Sequence, residues 1–258
     1  MATIEHNKEL WNDQFDWSSS GETWSEIWGN STAQWRFTIA PRIADFLPTK
    51  TVLEIAPGFG RWSHFLRSSC DRLIAVDLAA KCIEACKTRF AGDPAATFHV
   101  NDGKSLEMID DGSVDFVFSF DSLVHAEADV LEAYLAQLAA KLVPGGAGFI
   151  HHSNLGEFAD LRAAQPELDA SGRAPSMTAD AFVCFAEAGG LCTISQEIVG
   201  WGQAEFTDCM SVVVPRDSPL ARETRVVRNP RLMNEAIYVN SLRTLYSRAP
   251  TPAIKRQS

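Results

Sequence analysis

A short turn near residue 58 combines the residue types with the clearest chemical potential. In "LEIAPGFGRW", residues 53–62, an apolar run carries the acidic residue Glu54 and is followed by Gly58 and Gly60. Glycine tolerates positive φ and has no side chain, so two glycines one residue apart leave backbone N–H groups open to a ligand. Glu54 adds a carboxylate acceptor beside them. The turn is predicted to hold a small ligand close to its backbone, although a tight strand-to-helix connection would use the same glycines.

Two further acidic residues follow the next two apolar runs. Asp77 ends the run 72–77, at a place where a carboxylate can accept hydrogen bonds from both hydroxyls of a ribose. Asp102 and Gly103 follow the run 96–100. Each has a plainer alternative, because Asp77 can cap the next helix and Asn-Asp-Gly is a common turn. Acidic groups at three successive strand ends nevertheless favour a nucleoside site.

The elements that must position these residues alternate between strand and helix. Because such alternation forms a parallel sheet whose carboxyl ends meet at one edge, the acidic residues are expected to lie together there. Strands are predicted at 51–56, 72–77, 96–100, 114–120 and 146–152, with helices at 61–70, 79–90 and 127–142.

The chain divides into three predicted segments. Residues 1–48 carry five of the seven tryptophans among Ser, Gly and Asn, which suits a lid of short helices and loops over a pocket. Residues 49–215 form the ligand-binding domain, and residues 216–258 form a C-terminal helical extension with a frayed tail. Further helices are predicted at 179–190 and 235–248, and further strands at 192–201 and 208–215.

The spacing E-x-x-x-G-x-G in the turn resembles motif I of the class I S-adenosylmethionine-dependent methyltransferases. A dinucleotide-binding turn would have a third glycine where this sequence has Ser63. The resemblance covers roughly residues 50–155 and implies that this part of the chain binds S-adenosylmethionine. The fold expected for the domain 49–215 is a Rossmann-like, doubly wound, mostly parallel α/β sheet, flanked by the Trp-rich helical lid and a C-terminal helix. The cofactor-binding residues it implies are Glu54, Ala56, Gly58, Phe59, Gly60, Asp77, Leu78, Asp102, Gly103 and Ser119.

Histidines and carboxylates follow the fourth and fifth strands, where a methyl acceptor must approach. "SFDSLVHAE" carries Asp121, His125 and Glu127, and the D/N-P-P-Y/F pattern of amino-directed enzymes is absent. His125 is slightly favoured as general base, with Asp121 or Glu127 holding its tautomer, and His152 is its competitor. Strand alternation sends His151 and His152 to opposite faces, and His152 is expected to point into the cleft.

A divalent cation is an alternative way to activate an acceptor hydroxyl. Asp121, His152 and Asn154 follow neighbouring strands, at a position where some O-methyltransferases of this class hold a metal. A histidine here replaces one of the usual carboxylates, so a Mg²⁺ site and a metal-free general base both stay open.

The motifs "EIAPGFGRW", "NDG", "SFDSLVH" and "HHSN" together resemble bacterial sugar O-methyltransferases, including the mycobacterial methylmannose polysaccharide type. The resemblance implies a small-molecule or oligosaccharide acceptor, with a mannoside as one candidate. The N-terminal tryptophans suit packing against a sugar, and also suit a hydrophobic lid or a homodimer contact. Alternatives are an O-methyltransferase of non-sugar natural products, a nicotinamide-dependent oxidoreductase and a noncatalytic Rossmann-like protein.

Composition bears on partners and location. The formal net charge of −10 gives no positive field for a nucleic-acid backbone. The sequence has neither an apolar stretch of membrane-spanning length nor a signal-peptide pattern at residue 1. Six cysteines without metal-site spacing are typical of reduced thiols. These features predict a cytoplasmic protein without nucleic-acid or membrane partners.

Overall fold

The computed structural model describes residues 3–165, 168, 172–202 and 205–246, and it is built on one eight-stranded sheet. The spatial order is β3-β2-β1-β4-β5-β7-β6-β8. All neighbouring pairs are parallel except those that involve β7, which runs antiparallel to β5 and β6. The strands are β1 (Thr49–Ile55), β2 (Cys70–Asp77), β3 (Ala96–Val100), β4 (Val114–Ser119), β5 (Leu142–Ser153), β6 (Leu191–Val199), β7 (Asp208–Pro215) and β8 (Arg225–Asn229).

Helices cover both faces of this sheet and occupy both ends of the described chain. Short 3₁₀ or π helices lie at Leu10–Gln14, Glu22–Trp28, Trp35–Ile39, Ala44–Phe46, Leu123–His125 and Leu155–Phe158. The α-helices are α1 (Ile4–Glu9), α2 (Ser31–Gln34), α3 (Ala40–Ile43), α4 (Ser63–Arg67), α5 (Ala80–Arg89), α6 (Ala128–Lys141), α7 (Ala159–Ala164), α8 (Ala179–Ala188) and α9 (Leu232–Leu245). The predicted α/β fold class is therefore confirmed.

Two hydrophobic clusters lie on opposite faces of the sheet. Along β1, Leu53 belongs to the cluster under α6 and α8, whereas Val52 belongs to the cluster that contains Trp35 and Leu66. Because successive side chains of a strand alternate between faces, a strand buried on both faces must be apolar throughout. This explains why the central strands can be predicted as continuous apolar runs.

The structure departs from the predicted elements at several places, and α7 is among the elements that were not predicted. Helix α4 has only five residues, where 61–70 was predicted, because the turn keeps residues up to Trp62 outside the helix. Strand β5 begins at Leu142, directly after α6, before the predicted start at 146. Strand β8 is not predicted, since its five residues are mostly exposed and it forms by pairing with β6.

The N-terminal lid segment, residues 3–48, is held by the C-terminal helix as well as by the sheet. Trp28 and Ala33 pack against Ala236 of α9, and the Arg243 guanidinium donates to the carbonyl of Trp28. The predicted C-terminal helix is present and begins at Leu232. The rest of the predicted tail, residues 247–258, lies outside the described residues. Within the described ranges no helix combines the length and the apolar character needed to cross a bilayer.

Candidate functional site

A cavity that is partly open to solvent lies at the carboxyl ends of β1, β2 and β4. Its walls come from the lid segment and from the turns that follow these strands. The lid contributes Ile4, Asn7, Trp11, Trp17, Ser20 and Trp24. The turns contribute Ala56, Gly58, Phe59, Arg61, Asp77, Leu78, Gly103, Asp121 and His125 among others. The predicted glycine turn and ribose carboxylate thus share one cavity with the candidate base.

The glycine turn is left-handed at several positions. Gly58 and Gly60 have φ of 55° and 77°, and Ala56 has φ of 58°. A Cβ atom on Gly58 would lie 3.0 Å from the Trp17 ring. Glycine at 58 therefore satisfies both the backbone conformation and the close approach of the lid.

Asp77 ties the turn after β1 to the turn after β2. Its Oδ2 accepts from the Gly58 N–H at 3.1 Å, and its Oδ1 accepts from the Ala79 N–H at 2.8 Å, directly before α5. The side chain is buried, and burial raises its pKa to about 6. Asp77 is not the cap of α5, because Ala79 is the N-cap and no side chain caps it. The carboxylate instead closes the turn before the helix, and Asp77 still lines the cavity.

Glu54 lies beneath the turn and retains an unused acceptor. It is 1% exposed, and its Oε2 accepts from the Ser63 hydroxyl at 2.5 Å, whereas Oε1 has no partner among the described residues. Burial raises the pKa of Glu54 to about 8, with a further contribution from Asp77. Ser63, at the position of the missing third glycine, therefore has a specific role as a donor to Glu54.

Of the remaining predicted cofactor residues, three line the cavity and two do not. Phe59, Leu78 and Gly103 line the cavity. Asp102 is exposed, and its Oδ1 accepts from the N–H groups of Lys104 and Ser105, so its carboxylate stabilises the turn. Ser119 is buried, and its hydroxyl has no partner among the described residues.

Asp121 pairs with a buried arginine that the sequence did not identify as a site residue. The Arg61 Nη2 lies 2.9 Å from Asp121 Oδ2, and Nη1 donates to the Ser25 hydroxyl at 3.0 Å. The guanidinium stacks over Trp62 at 4.3 Å and faces Trp24 at 5.2 Å. Burial lowers the pKa of Arg61. The only sequence signal for this group is an arginine directly after the glycine turn, beside a tryptophan.

His125 has the geometry of a proton acceptor. Its Nδ1 lies 2.8 Å from the carbonyl oxygen of Gly172, which requires the hydrogen on Nδ1, and Nε2 makes no hydrogen bond with any described residue. The ring lies 5.6 Å from that of Trp11. Burial and the charge of Arg173 lower the pKa of His125, so the neutral form dominates near pH 7.

The groups predicted to hold the His125 tautomer are placed elsewhere. Glu127 accepts hydrogen bonds from Ser176, and Asp121 pairs with Arg61. A backbone carbonyl performs the predicted role, and no side-chain pattern could have indicated it.

The two adjacent histidines lie on opposite faces of the sheet, as predicted, but the expectation that His152 points into the cleft is wrong. His152 shares a face with Ile150 and stacks on Phe182, with both ring nitrogens bonded, to the carbonyl of Ser153 and to the Ser211 hydroxyl. Burial lowers the pKa of His152 to about 3. His151 lies on the opposite face, where its Nδ1 is 3.1 Å from the Asp121 amide nitrogen. His152 therefore has a structural role, because both of its ring nitrogens are hydrogen-bonded and neither can take a proton from an acceptor.

The predicted metal set is not formed. Asp121, His152 and Asn154 bond to separate partners. The Asn154 amide donates to Glu157 and to the carbonyl of Phe206, and its oxygen accepts from the Ala179 N–H. Across the part of the chain that the structure describes, no three His, Cys, Asp or Glu side chains are grouped as metal ligands.

Comparison with known proteins is consistent with this geometry. Residues 52–146 match the family model described as "Methyltransferase domain". Phosphoethanolamine N-methyltransferase 1 of Triticum aestivum is 34% identical over 119 residues, which are 44% of this chain and 24% of that protein. The methyltransferase nsrG of Aspergillus novofumigatus is 32% identical over 109 residues, 40% of this chain and 41% of that protein.

A solved structure extends the likeness of fold beyond the matched segment. Phosphoethanolamine N-methyltransferase 2 of Haemonchus contortus, in complex with S-adenosyl-L-methionine, superposes with a TM-score of 0.60 at 16% identity, over 81% of this chain and 60% of that one. This likeness concerns the fold alone. The chain spans less than half the length of the two curated relatives it matches.

Proposed function

We propose that this chain, whose residues 52–146 match the methyltransferase domain family within a class I fold, is an S-adenosylmethionine-dependent O-methyltransferase that acts on a hydroxyl of a sugar or oligosaccharide. The single observation that carries the proposal is the cavity that joins the glycine turn and Asp77 to the unbonded Nε2 of His125.

The residues beneath and around the turn fit the proposed cofactor. Glu54 is buried beneath the turn and is not a lining residue of the cavity, and its Oε1 has no hydrogen-bond partner among the described residues. Gly58 and Gly103 line the wall without side chains, and Asp77 offers its carboxylate to ribose hydroxyls. When bound, S-adenosylmethionine supplies an activated methyl group on a positively charged sulfur. The chain then needs to orient an acceptor and to remove one proton.

His125 is the group best suited to take that proton. Its Nδ1 hydrogen is held by the Gly172 carbonyl, so the lone pair is on Nε2. Trp11, Trp17 and Trp24 of the lid segment line the cavity and give this side of it an aromatic wall.

The polar atoms left unused in the cavity support a polyhydroxyl acceptor. Both His125 Nε2 and Asp121 Oδ1 can only accept hydrogen bonds there, and neither is bonded to a described residue. An acceptor that satisfies both must offer two donors, the hydroxyl to be methylated and a neighbouring one. Adjacent hydroxyls on a sugar meet this requirement, and the ring of Trp11, which lines the cavity, suits its C–H surfaces.

Methylation of an amine is a second candidate. Aromatic walls and a carboxylate favour a cationic group, and the wheat relative is named as an N-methyltransferase. Arg61 already stacks on two of these rings and neutralises Asp121, which weighs against a second cation in the same place.

A transfer assay with radiolabelled S-adenosylmethionine tests the proposal. Mono- and oligosaccharides, simple phenols, hydroxylated natural products, phosphoethanolamine and other amines should be offered separately. We expect label to appear in a sugar and to be lost with His125→Ala. Label only in amines would support the second candidate, and label only in phenols or natural products would retain O-methylation and reject the sugar.

A further inference from the structure

Asp121 has a backbone conformation that needs support. It is one of three described non-glycine residues with positive φ, at 59°, a region that is sterically costly for residues with a side chain. Its carboxylate nevertheless reaches Arg61 and the cavity. Some contact must therefore hold this peptide in place.

The contact that holds it is the imidazole of His151. The Asp121 N–H donates to His151 Nδ1 at 3.1 Å. An accepting Nδ1 places the hydrogen on Nε2, which lies 3.1 Å from Asp208 Oδ2. The ring thus links a backbone N–H to a carboxylate in one defined tautomer.

Asp208 is itself fixed by a third residue. It is fully buried, and Arg173 donates to both of its oxygens, from Nε at 3.0 Å and from Nη2 at 2.8 Å. Burial alone would raise the pKa of Asp208, but Arg173 and His151 outweigh burial and hold it below the ordinary value. A permanently charged Asp208 keeps the His151 hydrogen on Nε2.

We infer that His151 is a positioning residue for methyl transfer, which holds Asp121 in its left-handed conformation so that the carboxylate faces Arg61 and the acceptor. The inference rests on the proposed function. Neither His151 nor Asp208 lines the cavity, so their effect on the reaction must pass through Asp121. The Arg173–Asp208–His151 chain is the support on which the Asp121 carboxylate depends.

Two substitutions with polar amide side chains test the two hydrogen bonds of the His151 imidazole one at a time. In His151→Asn the amide oxygen takes the place of Nδ1 and can still accept from Asp121. In His151→Gln the amide nitrogen takes the place of Nε2 and can still donate to Asp208. We expect His151→Asn to keep most of the kcat/KM for the acceptor, and His151→Gln to lose about 10- to 100-fold, with unchanged affinity for S-adenosylhomocysteine in both.

A double-mutant cycle with Asp121→Ala distinguishes positioning from general structural damage. If His151 acts through Asp121, His151→Gln should cost little further activity once the Asp121 carboxylate is gone. An equal loss in both backgrounds, an equal loss in the Asn and Gln variants, or full activity of His151→Gln would each overturn the inference.

Nitrogen NMR of the wild-type protein provides a readout that needs no substrate. We expect His151 as the Nε2–H tautomer, coupled through Nδ1 to the Asp121 amide. The Nδ1–H tautomer, or an Asp121 amide shift unchanged in His151→Gln, would contradict the inference. If the wild-type protein methylates no acceptor, the proposed function fails, and this measurement still decides the role of His151.

Discussion

The ring of Trp17 lies parallel to the ring of Phe59, with 4.4 Å between the ring centroids and 1° between the planes. Trp17 belongs to the lid segment, and Phe59 lies between the two glycines of the turn after β1. The Trp17 indole N–H also donates to the carbonyl of Trp11 at 2.9 Å. The lid is therefore attached to the same turn that forms the cofactor side of the cavity.

Replacing Trp17 by leucine should loosen this attachment. Leucine keeps much of the buried apolar surface but removes the stacked pair, which is worth about 0.5 to 1.5 kcal/mol. We expect faster hydrogen exchange in the lid segment and weaker binding of S-adenosylhomocysteine by a similar free energy. Phe37→Leu, on an exposed aromatic away from the cavity, is the control. Unchanged exchange in the lid would show that the stack does not fasten it.

Asp77→Ala should weaken cofactor binding. The carboxylate is buried, holds the Gly58 amide and can accept the ribose hydroxyls, so its loss should cost about 2 to 3 kcal/mol of binding free energy. Calorimetric titration with S-adenosylhomocysteine measures the cost, and the exposed Asp110→Ala serves as control. Native affinity in a folded Asp77 variant would remove Asp77 from the cofactor site.

His125→Ala should slow methyl transfer and leave cofactor affinity nearly unchanged. A general base contributes about 10²- to 10⁴-fold, and the rate should fall by that order. Since burial and Arg173 lower the pKa of His125, the wild-type rate should decline only below the ordinary histidine value of about 6.5. His99→Ala, on β3, controls for loss of an imidazole. Near-native turnover of the His125 variant would assign the proton to Asp121 or water.

Glu54→Gln should remove a loss of stability that wild type undergoes between about pH 4.5 and pH 8. Burial raises the pKa of Glu54 from 4.5 to about 8, so between these values the folded protein keeps a proton that the unfolded chain has released. The free energy of unfolding must then fall as pH rises through this range. Urea denaturation across the range should show a flatter decline for Glu54→Gln than for wild type, while the exposed Glu107→Gln should follow wild type. Parallel curves for wild type and Glu54→Gln would mean that Glu54 ionises normally.

Exhaustive chelation should leave turnover intact. The three side chains that were predicted to bind a metal form hydrogen bonds to protein groups instead. Asp121 bonds to Arg61, His152 to Ser211 and Asn154 to Glu157. Activity lost in chelator and restored by Mg²⁺ would contradict this assignment. If Mg²⁺ also restored the rate of the His125→Ala variant, the metal would be the group that activates the acceptor hydroxyl.

The sequence predicts the central strands and the glycine turn because their signals are local. A strand buried on both faces must be apolar, and a left-handed turn beside a ligand requires glycine. Strand β8 was not predicted from the sequence, because Val226 and Val227 are exposed and the segment lacks the pattern of a buried strand. It forms a strand by pairing with β6. Its existence depends on tertiary structure alone.

The acceptor side of the site is less predictable for the same physical reason. Arg61 becomes a site residue only when Asp121, sixty positions later, folds against it. The His125 tautomer depends on the carbonyl of Gly172, which has no side-chain signature. Whether His151 or His152 faces Asp121 depends on the register of β5, because a shift of one residue exchanges the two faces.

The cluster of indoles in the lid segment contributes three of the seven tryptophans to the fluorescence of the protein. The ring centroids of Trp11, Trp17 and Trp24 lie within 6.0 Å of one another. Trp11 adjoins the imidazole of His125, and Trp24 adjoins the guanidinium of Arg61. Indole emission responds to nearby charge and to water, so a ligand that enters the cavity should change the colour and intensity of the fluorescence. Binding of a ligand in the cavity can thus be followed on unlabelled protein through the fluorescence of the lid tryptophans.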